Sequence, residues 1–433
     1  MACLKIKGGK PLTGEVVISG SKNSSQALLA AAALADGECI LDNISRGSSA
    51  AVMGLILRAL GAEVYCDKDD RIHVNGSTIN RYQAPYELVR MERGSFYVSG
   101  LLLGKLGRAE VPLPGGCDIG PRPVDFHIRG FQQLGAEVAI EHGSLTARAD
   151  KLCGNTIFVG RNSVGATINL LLAAAQAEGT TILENAAKEP EVVDLAIFLN
   201  NMGARIRGAG TDVIRIEGVP KLYPAQHTAI PDRIEAGTYI MFAAAAGGSI
   251  RVKNAVPEHL RLPIMKLIEA GVEIKEENDG ISVKASGSLK ATDVETAPYP
   301  GFATDFQQPF CALMSIAEGT SVVRDTIFDR WRFVDELRRM GADIRVERDT
   351  AIIKGRPKLS GAPVQATDLR AGAALVAAGL AAEGVTRIYG AETIDRGYEH
   401  LVDKLLRLGA DIEREDGPQT AESVGFSVFT RPD

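Results

Sequence analysis

At 433 residues the chain is long enough for two or three domains. Its 48 basic and 54 acidic side chains give a formal charge of −6, which argues against a nucleic-acid coat or an anionic-membrane binder. Apolar residues make up 45%, charged residues 24% and aromatics only 5%, values that exclude a disordered chain and leave little for base-stacking platforms.

The first residues, Met1-Ala-Cys-Leu-Lys-Ile-Lys, carry no apolar signal core. The longest uncharged stretches, 236–250 and 371–382, fall short of the ~20 residues a membrane span needs. Six cysteines (Cys3, Cys39, Cys66, Cys117, Cys153, Cys311) form no CxxC pair, so a zinc site or disulfide framework is not indicated and a reducing cytoplasm is expected.

Along the chain one phrase recurs. It reads LGAEV at 60–64 and 134–138, MGARI at 202–206, AGVEI at 270–274, MGADI at 340–344 and LGADI at 408–412, with starts 74, 68, 68, 70 and 68 residues apart. Each copy follows a helical pattern, supplies a Gly suited to a helix C-cap, and continues with strand-like alternation. A second helix–Gly–strand phrase lies between copies, as Ala177-Glu-Gly-Thr-Thr, Ala317-Glu-Gly-Thr-Ser and Ala382-Glu-Gly-Val-Thr. Six copies at this period mean six α/β units, and the period excludes TPR or ankyrin arrays. The Ala-rich helices at 27–35 and 371–382 are apolar nearly all round and are expected to be buried, with sheets outside. Pro224 and Pro231 break the pattern after the third copy, dividing the units three and three.

The stretches rich in polar and special residues resemble one family, the UDP-N-acetylglucosamine enolpyruvyl transferases. They are Gly20-Ser-Lys-Asn-Ser, Pro114-Gly-Gly-Cys-Asp-Ile-Gly-Pro-Arg-Pro-Val-Asp-Phe-His, Ser163-Val-Gly-Ala-Thr, Glu184-Asn-Ala-Ala-Lys-Glu-Pro-Glu, Ile230-Pro-Asp-Arg-Ile-Glu-Ala-Gly-Thr, Thr304-Asp-Phe-Gln, Ala366-Thr-Asp-Leu-Arg and Ile394-Asp-Arg-Gly-Tyr-Glu. The resemblance implies an α/β fold of two inside-out α/β barrel domains, each of three units. One barrel would take residues 1–21 and 230–433, the other 22–229, with the active site in the cleft between them. It implies transfer of the enolpyruvyl group of phosphoenolpyruvate to the 3′-hydroxyl of UDP-N-acetylglucosamine, with small-molecule substrates only and no cofactor or metal.

Phosphoenolpyruvate bears two anionic groups on three carbons, so its pocket needs several fixed cations, arginine forks above all. The resemblance assigns Lys22, Arg122, Arg370 and Arg396 to it. In Phe328-Asp-Arg-Trp-Arg-Phe it assigns Arg330, with Arg332 as rival. Blind to the resemblance, each arginine reads as a solvated surface charge. For the acceptor, a carboxylate must take the hydroxyl proton. The resemblance gives this to Asp305, whose plain reading is a helix N-cap after a Pro/Gly loop. Asn23 is implied at the sugar, Ile327 among the residues that bind UDP-N-acetylglucosamine, and Arg93, Arg161, Ser163, Val164 and Gly165 at the phosphates, where helix-start N–H groups suit oxyanions. Arg122, Pro123, Val124, Asp125, Phe126 and His127 are implied at the uridine.

Cys117 stands in a stretch, 112–123, with four prolines and three glycines, hence a loop. Arg122 close by favours its thiolate. The resemblance makes it the proton donor, along with Lys22, Asp305 and Arg396 as catalytic residues. Cys39 and Cys311 read as small buried hydrophobes. Two departures from the family pattern stand out: Ser49 where an aspartate is usual, and the shortened segment around Trp331. They keep open an enolpyruvyl transferase with another nucleotide acceptor. A UDP-sugar-binding paralogue without activity is the reading from a different class. An enzyme using 3-phosphoshikimate is disfavoured by the Gly-Gly-Cys loop.

Overall fold

The computed structural model describes residues 2–115, 124–286 and 288–415; the readings at Cys117, Arg122 and Pro123 lie outside them. The described chain forms two compact units, one from residues 2–19 and 231–415 and one from 20–115 and 124–230.

Every copy of the repeated phrase turns a helix into a strand as its composition requires. Gly61, Gly135, Gly203, Gly271, Gly341 and Gly409 all have φ between 86° and 109°, the left-handed region that an L side chain resists. The helix Ser48–Leu60, for instance, ends at Gly61 and the strand Glu63–Cys66 follows. The second phrase behaves alike, with Gly179, Gly319 and Gly384 at positive φ before strands Thr180–Glu184, Thr320–Arg324 and Val385–Tyr389.

Six sheets form among the described residues, three in each unit. Five share one plan: a parallel edge strand, then antiparallel neighbours. In the 20–230 unit, Gln226–Thr228 runs parallel to Glu38–Asp42, and Ile72–Asn75 and Glu63–Cys66 follow antiparallel. The sheet with Arg108–Pro112 is the exception, its parallel partner reduced to one bridge between Gln83 and Glu110. In the other unit the first two strands of the chain complete sheets begun elsewhere. Cys3–Lys7 lies antiparallel between Val385–Tyr389 and Asp411–Glu415, with Cys3 opposite Tyr389 and Glu415. Leu12–Val17 runs parallel to Gly248–Lys253.

Inside each unit the sheets cover buried helices, giving two separate apolar cores. Arg233–Ala246, Thr304–Met314 and Leu369–Ala381 pack on one another in the first unit. In the second, Val98–Leu106 packs against both Lys22–Ala32 and Val164–Ala174. Small residues let these backbones approach. A Cβ on Gly100 would fall 2.4 Å from the Asn169 carbonyl oxygen of the neighbouring helix. The inside-out arrangement expected from the all-round apolar helices is therefore present. No described helix is long and apolar enough to cross a membrane.

Candidate active site

In the 2–19 and 231–415 unit, polar chemistry gathers at the starts of buried helices. Asp305 is the second residue of Thr304–Met314. The cap is Ala303, which offers no side chain, so the N-cap reading of Asp305 is corrected. Its carboxylate is held instead by two guanidiniums: Arg330 Nη1 donates to Oδ1 at 2.7 Å and Arg370 Nη2 to Oδ2 at 3.1 Å. Both arginine side chains are buried, while the Asp305 side chain keeps about a quarter of its exposure. Arg332 is exposed, so burial separates it from Arg330.

Arg370 is fixed by its helix. Asp368 caps Leu369–Ala381, accepting from the N–H groups of Arg370 and Ala371 at 2.8 and 3.1 Å. Asp368 also accepts from Gln308 Nε2 at 3.1 Å. Burial opposes the Arg370 charge, but the neighbouring Tyr398 and Asp305 outweigh it and hold the guanidinium above its ordinary pKa. Gly397 passes close by: a Cβ there would lie 3.4 Å from Arg370 Nη1. That places Arg396, half-buried at the end of Ala391–Asp395, in the segment beside Arg370. Arg330 Nε and Arg370 Nε and Nη1 are buried without a hydrogen-bond partner among the described residues. Unmet guanidinium donors in a dry setting are costly, and an anionic ligand would satisfy them.

Ile327 sits in a turn organised by Asp325, whose Oδ1 accepts from the N–H groups of Ile327 and Phe328. Asp325 also accepts from Thr296 and Thr304 hydroxyls, each at 2.7 Å. Asp325 was not singled out from the sequence; its signal there is only an Asp-Thr turn pair.

In the 20–230 unit, Ser21 caps Lys22–Ala32, its Oγ accepting from Ser24 N at 3.3 Å. Lys22 and Asn23 thus open a helix, both half-buried. Lys22 Nζ stands 3.8 Å from Glu92 Oε2. Ser163 caps Val164–Ala174 by accepting from Ala166 N at 3.3 Å. Val164 and Gly165 form the first turn. His127 faces Gly165, where a Cβ would lie 3.4 Å from the ring. The ring's Nδ1 takes the Asn169 amide at 2.9 Å, which leaves the proton on Nε2. Burial, aided by the Arg93 charge, lowers the His127 pKa to about 3, so the ring is neutral. Arg93 is half-buried, and burial lowers its pKa too.

Val124 is buried, and Asp125 and Phe126 begin Asp125–Gln133. Asp125 Oδ1 is buried without a hydrogen-bond partner among the described residues. Gly160 at φ 76° makes room for Phe126, whose ring would be 2.1 Å from a Cβ there. Arg161 is exposed. Among the described cysteines, Cys3, Cys39 and Cys311 are buried, and burial pushes their thiols up.

Each unit sets buried helices under three sheets, with charged side chains at helix starts, and this architecture is shared with solved enolpyruvyl transferases. The chain belongs to the EPSP synthase (3-phosphoshikimate 1-carboxyvinyltransferase) family, whose profile matches residues 6–405. Within it, the chain is 53% identical over 411 residues to UDP-N-acetylglucosamine 1-carboxyvinyltransferase 2 of Symbiobacterium thermophilum, covering 94% of this chain and 97% of that one. It is 51% identical over 416 residues to the UDP-N-acetylglucosamine 1-carboxyvinyltransferase of Clostridium botulinum, covering 96% and 100%. Among solved structures it resembles the enolpyruvyl transferase NikO from Streptomyces tendae, with TM-score 0.87 and 29% identity over 96% of this chain and 99% of that one. EPSP synthase from Acinetobacter baumannii shares the fold, at TM-score 0.77 and 20% identity over 96% and 100%.

Proposed function

We propose that this protein transfers the enolpyruvyl group of phosphoenolpyruvate to the 3′-hydroxyl of UDP-N-acetylglucosamine with release of phosphate, the first committed step of peptidoglycan synthesis, in the cytoplasm. The observation that carries the reading is the Asp305 carboxylate held between two buried guanidiniums that retain unmet N–H donors. Such a group supplies a base and an anion seat together.

In this reading Arg330, Arg370 and Arg396, with Lys22 and Arg122, take the carboxylate and phosphate of phosphoenolpyruvate. Asp305 accepts the acceptor's hydroxyl proton as that oxygen bonds to C2, and the Cys117 thiol supplies a proton to C3. Phosphate then leaves C2 while C3 gives a proton back, restoring the double bond as an enol ether. Asn23 and Ile327 serve the sugar. Arg93, Arg161 and the N–H groups at Ser163, Val164 and Gly165 serve the diphosphate, and Arg122, Pro123, Val124, Asp125, Phe126 and His127 the uridine. A neutral His127 with its proton on Nε2 suits a donor to a carbonyl or phosphate oxygen. The same reading makes Cys117 the target of the anionic epoxide fosfomycin.

Relatives near half identity, named for UDP-N-acetylglucosamine, favour that acceptor over another nucleotide. Phosphate release is the test, with phosphoenolpyruvate plus UDP-N-acetylglucosamine against either alone, and with UMP or 3-phosphoshikimate as alternative acceptors. Release only with UDP-N-acetylglucosamine is expected. Release with UMP alone would reassign the acceptor, and none with any acceptor would leave a binding protein.

A further inference from the structure

Glu92 has no part in the scheme above, yet its carboxylate is buried in the same corner as Lys22. The Glu92 side chain is 6% exposed, and its Oε2 lies 3.8 Å from Lys22 Nζ. Its Oε1 accepts a hydrogen bond from Ser49 Oγ at 2.6 Å. The three residues come from three elements. Lys22 opens Lys22–Ala32, Ser49 lies in the first turn of Ser48–Leu60, and Glu92 precedes the short 3-10 helix Arg93–Tyr97.

The Gln26 side chain ties these elements together. One turn after Lys22, its Nε2 donates to the Ser49 carbonyl at 3.3 Å. Gly94 lets the 3-10 helix close on Gln26, since a Cβ there would come 2.2 Å from Gln26 Oε1. A carboxylate this deeply buried is costly unless hydrogen-bonded and paired with a cation. Here both conditions are met, by Ser49 and by Lys22. At 3.8 Å the contact with Lys22 is an ion pair and not a hydrogen bond. It fixes where the ammonium sits without that contact using one of its N–H groups.

We infer that Glu92, seated by Ser49, is the positioning residue for Lys22 and sets the affinity for the anionic enolpyruvyl donor. The inference rests on the proposed role of Lys22. Phosphate release by the unmodified protein is therefore measured first, and its absence would count against the reaction assignment and not against the placement of Lys22.

With activity in hand, phosphoenolpyruvate is varied at saturating UDP-N-acetylglucosamine. Glu92→Gln keeps the shape and removes the charge, so kcat/KM for phosphoenolpyruvate falls by about tenfold or more, while UDP-N-acetylglucosamine affinity by calorimetry stays within about twofold. Adding Ser49→Asp to Glu92→Gln returns a carboxylate from the position whose hydroxyl now meets Glu92, and restores about threefold or more of the loss. Ser49→Ala, which leaves Glu92 in place but removes its hydrogen bond, serves if Glu92→Gln does not fold, and lowers the same ratio by about threefold. A Glu92→Gln protein with kcat/KM for phosphoenolpyruvate within about twofold of normal would overturn the inference. So would equal losses toward both substrates, or a loss that Ser49→Asp does not relieve.

Discussion

Residues 20–230 and residues 2–19 with 231–415 build the same scaffold and furnish it with opposite electrostatics. In the former an ammonium, Lys22, lies 3.8 Å from the buried Glu92 carboxylate, and a helix start at Ser163 presents backbone N–H groups. In the latter a carboxylate, Asp305, is gripped by two buried guanidiniums. Five of the six described sheets keep the same strand plan and all six repeats keep the glycine turn, while the residues at the helix starts differ. Architecture supplies positions at which backbone dipoles and caps converge, and the side chains there decide the chemistry.

The sharpest way to break this contrast is to remove the gripped carboxylate. Asp305→Ala should lower kcat for phosphate release by about a hundredfold or more, while the UDP-N-acetylglucosamine dissociation constant stays within about tenfold. Near-normal turnover would take Asp305 out of the chemistry and leave its arginine pair a structural device.

A second test is all-or-none. Fosfomycin should add once per chain, at Cys117 by peptide mapping, and Cys117→Asp should abolish the adduct. The buried thiols of Cys3, Cys39 and Cys311 are raised by desolvation and should stay unmodified. Cys153 is the exposed control among the described cysteines; labelling there as fast as at Cys117 would show that accessibility alone governs the reaction.

Charge-for-charge exchange separates the two neighbouring arginines. Arg330→Lys should cut kcat/KM for phosphoenolpyruvate by about tenfold, because a point charge cannot hold Asp305 and an anion as a fork does. Arg332→Lys should change it by less than about twofold. The reverse ranking would move the donor seat to Arg332.

On the other side of the comparison, His127 is neutral through burial, with a pKa of about 3. Because the folded value lies below the unfolded one, stability is complete above about pH 6.5 and is lost as the pH falls through that range. Between pH 6.5 and 5 the 20–230 unit should lose about 2 kcal/mol more than its His127→Gln variant. Parallel acid-unfolding curves would show that the ring is solvated. The smallest effect is expected from Ser163→Ala, about 1 kcal/mol of stability from the lost cap, read as a lowered urea midpoint. An unchanged midpoint would mean that the helix start is held by packing alone.

Much of the fold was legible because its turns repeat. A Gly that must take positive φ between the helix and the strand of every repeat leaves a phrase that survives divergence around it, as at Gly61 and Gly409. The loss of a parallel strand near Gln83 left no such mark, since one bridge and a full strand differ only in backbone pairing. The site was less legible. Motif likeness pointed to Asp305, but composition suggested a cap, and only the structure shows Ala303 in that place. Arg330 and Arg332 are two residues apart and alike in sequence; burial distinguishes them. Ser49 stood out as a departure from pattern, yet its partner Glu92 lies 43 residues away, a distance no local reading bridges.

The insertion of Cys3–Lys7 between Val385–Tyr389 and Asp411–Glu415 has a consequence for synthesis. Lys5 meets Glu413 across 408 residues of chain, so a strand synthesised early must wait for a partner synthesised much later. Residues 20–115 and 124–230 lie between these two strands in sequence and can close their sheets in the interval. Throughout that wait the nascent strand has open edges, ready to pair with a wrong chain. Its Lys5 and Lys7, with Lys10 just beyond, supply the charges that discourage such pairing, a kinetic safeguard carried by the strand itself.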